Sequence, residues 1–137
     1  MKEPVAAAAL IVAATAAREV AWAPYSGYRV GAAVMDDMGR IFAGCNVENV
    51  SYGLSLCAER SAMAAAVAAG ARRLVSAAVV TDAEPPGSPC GACRQWMAEF
   101  GGPGMRVVSV STGGSRREWT LAELLPDPFR ISPGEGE

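Results

Sequence analysis

Residues 57–100 read CAERSAMAAAVAAGARRLVSAAVVTDAEPPGSPCGACRQWMAEF and predict a helix, a strand and a second helix. The first part, from Cys57 to Ala69, is rich in alanine, a strong helix former, and stops at a glycine. Leu74 to Thr81 is a run of strand length that is apolar except at Ser76 and Thr81, and Cys90 to Phe100 is again helical in pattern. Because a strand that is mostly apolar is typically buried on both faces, this order predicts helices packed on a sheet.

The rest of the chain extends this pattern to a mixed sheet of about five strands. Two β-prone runs separated by the turn formers Asp36-Asp37-Met38-Gly39 predict a hairpin. Thr120 and Glu123 fit a capping box that opens a short last helix. We therefore expect an α/β fold, a three-layer α/β/α sandwich. Its further elements are a helix over residues 4–22, strands over 29–35, 40–46 and 105–111, and the last helix, limited by Pro126.

The bulk composition predicts one folded domain over residues 1–137 that does not bind nucleic acid. The chain is 51% hydrophobic and only 19% charged, unlike the composition of disordered chains. Its formal net charge of −2 provides no basic surface for a polyanion. It contains no histidine, so any chemistry must use carboxylates, thiolates or a metal.

The apolar stretch from Val5 to Ala17 has two interpretations. Its 13 residues are too few for a membrane-spanning helix, which needs roughly 20. A secretory signal is the alternative, but Lys2 is the only basic residue before the stretch. Because reactive thiols suit a reducing compartment, we favour a buried, alanine-rich first helix in a cytoplasmic protein without a membrane partner.

Three of the four cysteines lie in two short patterns, each at a predicted helix start. The patterns are Cys57-Ala58-Glu59-Arg60 and Ser88-Pro89-Cys90-Gly91-Ala92-Cys93. A C-x-x-C pair can offer two thiolates to a tetrahedral zinc, and one ligand from another helix leaves the fourth position for water. Helix N-termini favour anions and so assist thiolate formation. We expect a catalytic site with one Zn²⁺ per subunit, held by Cys57, Cys90 and Cys93.

The fourth cysteine, Cys45, lies on a predicted strand and has no C-x-x-C partner. As a fourth ligand it would close the site and make the zinc structural. We expect it instead to be a small buried residue.

The two cysteine patterns resemble the motif pair of the zinc-dependent cytidine deaminases, which is [Cys or His]-Ala-Glu followed by Pro-Cys-x-x-Cys. Three other stretches resemble the small, free-nucleoside branch of that family, so the resemblance covers nearly the whole chain. They are PYSGYRVGAA at 24–33, GCNVEN at 44–49 and LLP at 124–126. The resemblance implies a cytidine deaminase-like fold and a homotetramer with shared active sites, for which the alanine-rich helix after Cys57 would allow close packing.

The resemblance also implies a reaction, the deamination of cytidine and 2′-deoxycytidine to uridine and 2′-deoxyuridine in pyrimidine salvage. Zinc-bound hydroxide attacks C4, and Glu59 relays protons to N3 and to the departing ammonia. Positions 57 and 59 lie about 200° apart on an ideal helix, so the reach of Glu59 rests on the resemblance. Arg60 is expected to donate hydrogen bonds to ligand sulfurs and offset the charge of three thiolates; its alternative is a solvent-facing charge.

Residues expected to bind the nucleoside also follow from the resemblance. Asn46 and Glu48 match a pair that binds the ribose hydroxyls, although they could instead be a strand end and a solvated loop acid. Tyr28 lies where the family commonly has a phenylalanine beside the base. Plain packing is the alternative for each aromatic residue. The remaining expected contacts are the backbones of Ala58 and Ser88, and Tyr52 and Phe129 contributed by a neighbouring subunit.

Three other functions compete with this interpretation. A polynucleotide-editing deaminase shares the zinc motif but needs a basic channel, which the net charge of −2 opposes. A deaminase of a blasticidin-like analogue is opposed by Glu48, since blasticidin-type enzymes depart from the pair at that position. A deaminase of a methylated or otherwise modified cytosine nucleoside stays an open alternative. A non-catalytic zinc-stabilised binding module leaves Glu59 unexplained.

Overall fold

A computed structural model describes residues 2–131, with side chains described from residue 6 onward. In chain order the elements are α1 (Lys2–Arg18), β1 (Gly31–Asp36), β2 (Ile41–Cys45), a 3-10 turn (Tyr52–Leu54), α2 (Ala58–Ala68), β3 (Leu74–Thr81), α3 (Gly91–Phe100), β4 (Arg106–Ser111), β5 (Arg116–Thr120) and α4 (Leu121–Leu124). Within the described range the order of strands in the sheet is β2-β1-β3-β4-β5. The β3–β4 pair is parallel and the other three pairs are antiparallel, which confirms a mixed sheet.

Helices cover both faces of the sheet, and this confirms the three-layer sandwich. On one face, Leu10 and Ala14 of α1 are buried against the middle strands. On the other face, a larger cluster joins Met63 of α2, Met97 of α3 and Leu121 of α4. Burial of these apolar side chains is the main term that stabilises the arrangement.

The first helix ends at Arg18, four residues before its predicted end. Beyond it, the N–H groups of residues 19–21 each donate to a carbonyl three residues back, which tightens the chain into a turn. The N–H of Trp22 then donates to the carbonyl of Asn46 at 3.0 Å, so pairing with the end of β2 replaces further helix. No helix within residues 2–131 is long and apolar enough to cross a membrane.

The structure also moves one predicted strand boundary and adds the fifth strand. Strand β1 begins at Gly31, because the N–H of Val30 donates to the side chain of Asn46 at 2.8 Å and not to a strand. β5 supplies the fifth strand, and the predicted capping box between Thr120 and Glu123 is present at the start of α4.

Two glycines let helices approach the sheet closely. A Cβ atom at Gly31 would collide with the carbonyl oxygen of Ala14 in α1, and one at Gly44 would collide with the backbone nitrogen of Ala62 in α2. Because α2 carries Glu59 and Arg60 at its beginning, the contact at Gly44 helps to fix the height of those side chains above the sheet.

Candidate active site

The beginnings of α2 and α3 meet and bring three thiols together. Cys57 is the N-cap residue of α2, Cys90 is the N-cap residue of α3, and Cys93 lies in the first turn of α3. Their three sulfur atoms all lie within 4.8 Å of one another, and the Sγ atoms of Cys57 and Cys90 are 3.7 Å apart. The predicted C-x-x-C pair and the predicted third ligand therefore form one cluster.

The cluster fits a zinc ion. With Zn–S bonds near 2.3 Å, tetrahedral geometry places two thiolate sulfurs about 3.8 Å apart, which is close to the separation of Cys57 and Cys90. The guanidinium of Arg60 donates from Nη2 to Cys57 Sγ at 3.5 Å. Its Nε is buried and has no hydrogen-bond partner among the described residues, as expected for a donor meant for a further thiolate. Cys45 lies outside the cluster, with its thiol 3.9 Å from the carbonyl of Val20.

The cluster also favours the thiolate form that a metal needs. Hydrogen bonds from Cys93 and then from Arg60 and Cys90 outweigh burial and lower the pKa of Cys57 to about 5. The pKa of Cys93 is raised, because its thiol donates to Cys57 and is itself buried. The cluster therefore loses the proton of Cys57 readily and holds the proton of Cys93. Metal binding displaces the thiol protons that remain.

Glu59 shares a wall of one cleft with these thiols. The cleft has a volume of about 570 Å³, and Cys57, Glu59 and Cys90 all line it. Glu59 is only 6% exposed. Burial raises its pKa, and the charge of the Cys57 thiolate adds to this effect. A carboxyl group with a raised pKa holds a proton more readily than an ordinary one, which suits a group that must take up a proton and give it back.

Asn46 and Glu48 also line the cleft, and the side chains of both form hydrogen bonds with the backbone of its wall. The Asn46 amide donates to the carbonyl of Tyr28 and accepts from the N–H of Val30, each at 2.8 Å. The Glu48 carboxylate accepts from the N–H groups of Tyr25 and Ser26 and from the Ser26 hydroxyl. These bonds hold the pKa of Glu48 below its ordinary value, with the hydroxyl of Ser26 contributing most. Each side chain keeps hydrogen-bonding capacity for a ligand.

The other predicted binding residues differ in their placement. Tyr28, Ala58 and Ser88 line the cleft. Tyr52, which was expected to reach the site from a neighbouring subunit, lines the cleft of its own chain. Phe129 does not line it: the residue is 75% exposed, and its backbone forms hydrogen bonds with the side chain of Gln95.

The sequence interpretation did not assign several lining residues to the site, among them Tyr25, Val79 and Thr81. Tyr25 meets Tyr52 edge to face, with ring centroids 6.2 Å apart. It stands in the PYSGY stretch, so a signal was present. Val79 and Thr81 lie two apart on β3, and alternation along the strand could have placed both on one face.

Comparisons with known proteins agree with this geometry. A family model described as the cytidine and deoxycytidylate deaminase zinc-binding region matches residues 6–110. A cytidine deaminase of Sporosarcina psychrophila is 48% identical over 120 residues, which are 88% of each chain. The crystal structure of a cytidine deaminase from Burkholderia pseudomallei is similar with a TM-score of 0.85 and 52% identity, over 89% of this chain and 98% of that one. A cytidine deaminase structure from Mycobacterium tuberculosis gives a TM-score of 0.79 at 42% identity, over 90% and 97% of the two chains.

Proposed function

Because this chain belongs to the cytidine and deoxycytidylate deaminase family, we propose that it hydrolyses free cytidine and 2′-deoxycytidine to uridine and 2′-deoxyuridine, with release of ammonia. The observation that carries the proposal is the placement of a buried carboxyl group, Glu59, in the same cleft wall as the thiols Cys57 and Cys90. A binding module would have no use for that carboxyl group.

Cys57, Cys90 and Cys93 would hold the zinc, which when bound would make a water molecule nucleophilic at neutral pH. Glu59 accepts the proton that the attacking water gives up and delivers it to N3 of the cytosine ring as the C4–O bond forms. It then takes the proton of the new C4 hydroxyl and passes it to the amino group. The C4–N4 bond breaks, ammonia leaves, and the 4-oxo base keeps its proton at N3. The Glu59 carboxylate moves both protons, so no second acid is required.

The remaining cleft residues would orient the nucleoside. We assign the base to the backbones of Ala58 and Ser88 and to the ring of Tyr28, and the ribose hydroxyls to Asn46 and Glu48. The two ribose-binding side chains are already fixed by the backbone of residues 25–30, so little ordering remains when the sugar binds.

The charge of the cleft supports a free nucleoside as the substrate. Among the described residues, no lysine or arginine lines the cleft, whereas Glu48 and Glu59 both line it. The lowered pKa of Glu48 keeps that carboxylate ionised at neutral pH. A phosphate group at the sugar would therefore meet negative charge and no cation to neutralise it.

We expect kcat/KM for cytidine to exceed that for cytidine 5′-monophosphate by at least about 100-fold, a difference of roughly 2.7 kcal/mol. Ultraviolet absorbance measures deamination of cytidine, 2′-deoxycytidine, 5-methylcytidine, the monophosphate, free cytosine and a short single-stranded oligonucleotide. Turnover of the oligonucleotide alone would overturn the proposal. Turnover of 5-methylcytidine above cytidine would shift it to a modified nucleoside.

We also propose that the protein works as a homotetramer with shared active sites, in the cytoplasm, where the thiol cluster stays reduced. Large apolar side chains lie exposed on segments beside the cleft, among them Val50, Tyr52 and Leu54. Contiguous exposed apolar surface is typical of interfaces. The exposed ring of Phe129, absent from the cleft of its own chain, is then available to a neighbouring cleft.

Sedimentation velocity tests the assembly. We expect a species of four times the chain mass and its dissociation in Leu54→Glu, since a buried unpaired charge opposes association. Met38→Glu is the matched control, because Met38 is equally exposed in the β1–β2 turn, and it should sediment like the wild type. A monomeric wild-type protein contradicts the proposal.

A further inference from the structure

The side chain of Arg94 in α3 folds back toward the beginning of that helix, where two of the thiols lie. Arg94 lies in the first turn of α3, directly after Cys93, and is partly buried. Its Nε donates to the carbonyl of Pro89 at 2.8 Å, and its Nη2 donates to the hydroxyl of Ser88 at 2.9 Å. Its Nη1 donates to the carbonyl of Leu124 at 2.7 Å. One guanidinium therefore joins α3, the preceding loop and the end of α4.

The loop that Arg94 holds by hydrogen bonds has no regular secondary structure, and it forms part of the cleft wall. It runs over residues 82–89, and its Gly87 and Ser88 line the cleft. Two contacts anchor its earlier part: the Ser111 hydroxyl donates to Glu84 at 2.6 Å, and Arg117 donates to the carbonyl of Pro86 at 3.1 Å. Arg94 supplies the last anchor, at the two residues directly before Cys90.

The chemistry of these contacts suits arginine specifically. None of the three acceptors is a carboxylate, so the side chain acts as a rigid set of donors and not as half of an ion pair. The planar guanidinium directs its N–H groups along fixed lines, whereas a lysine ammonium is a compact charge on a flexible stem. The carbonyl of Leu124 is also one of the last groups of α4, which lack a partner within the helix.

We propose that Arg94 is a positioning residue for the reaction: it fixes the backbone of Ser88 against the base and the thiol of Cys90 against the metal. This inference rests on the proposed function. A shift of the loop would move one wall of the base pocket and one metal ligand together. Displacements of about 1 Å in reacting groups, and loss of contacts that orient metal ligands, each cost roughly 10- to 100-fold.

The test compares Arg94→Lys with Arg72→Lys in the full chain. Arg72 is a matched control, since it donates to the carbonyls of Val67 and Ala71 at the end of α2 and does not line the cleft. We expect Arg94→Lys to bind one zinc per chain but to lower kcat for cytidine by 10- to 100-fold, and to release zinc to a chelator faster than the wild type. Arg72→Lys should keep the wild-type kcat and the wild-type rate of zinc release.

A second variant keeps the inference testable if Arg94→Lys fails to fold. Ser88→Ala removes only the Nη2 contact of Arg94 at an exposed side chain, and we expect kcat to fall severalfold with Tm unchanged. Wild-type kcat in a folded Arg94→Lys, or in Ser88→Ala when Arg94→Lys does not fold, would overturn the positioning role. A wild-type protein that deaminates no pyrimidine nucleoside would instead count against the proposed function, and faster zinc release in Arg94→Lys would still support the placement of Cys90.

Discussion

Glu59→Gln should lower kcat for cytidine by about three to four orders of magnitude while one zinc per chain remains bound. Glutamine keeps the shape of the side chain but can neither accept the proton from the attacking water nor deliver it to N3 and the amino group. General acid–base catalysis by one group is typically worth 10²- to 10⁴-fold, and Glu59 serves more than one proton transfer. Steady-state kinetics together with metal analysis of the purified variant give the two quantities.

Glu99→Gln is the control for this substitution, because Glu99 is exposed on α3 and does not line the cleft. It should retain wild-type kinetics. Retained activity in Glu59→Gln would exclude the proton relay. Loss of zinc from that variant would mean that Glu59 contributes to metal binding, contrary to its placement beside the sulfur cluster.

Cys93→Ser should abolish tight zinc binding and activity and lower Tm by several degrees. Serine offers a neutral hydroxyl where a thiolate is needed, and Cys93 is completely buried between Cys57 and the core. A metal that binds only the folded state stabilises it, so its loss should be seen as a lower Tm. Prolonged exposure of the wild type to a strong chelator should reproduce both effects, and added zinc should reverse them.

Cys45→Ser provides the matched control, since Cys45 lies outside the cluster. It should bind one zinc per chain with wild-type turnover. If Cys45→Ser lost the metal and Cys93→Ser kept it, the assignment of the ligands would be wrong.

The fold was largely predictable because its signals are local. Leu74 to Thr81 is apolar at nearly every position and became the strand at the centre of the sheet. Thr120 and Glu123 bond each other's backbones within four residues, so the sequence alone indicated the cap. The end of α1 was misplaced because Trp22 pairs with Asn46, 24 residues further along the chain, and no local pattern reports that contact.

The candidate site was predictable in its residue types but not in its supporting contacts. The three thiols stand in motifs, and the motifs resemble a family. On an ideal helix, positions 57 and 59 point in nearly opposite directions, so their spacing did not predict that Glu59 would share a wall with Cys57. The ideal angle does not apply, because Cys57 is an N-cap residue with extended backbone. The hydrogen bonds of Arg94 with Ser88 and Pro89 depend on the side-chain conformation of Arg94, which the spacing of residues in the sequence does not predict.

The double use of Asn46 and Glu48 has an evolutionary consequence. The side chains proposed to recognise the sugar also hold residues 25–30 in place, so a substitution that alters sugar preference loosens the wall on which the base rests. Mutations at these two positions and at Ser26 should therefore show strong epistasis, with effects that do not add. Sugar specificity in this scaffold would change more readily through cleft residues whose side chains do not hold residues 25–30 in place.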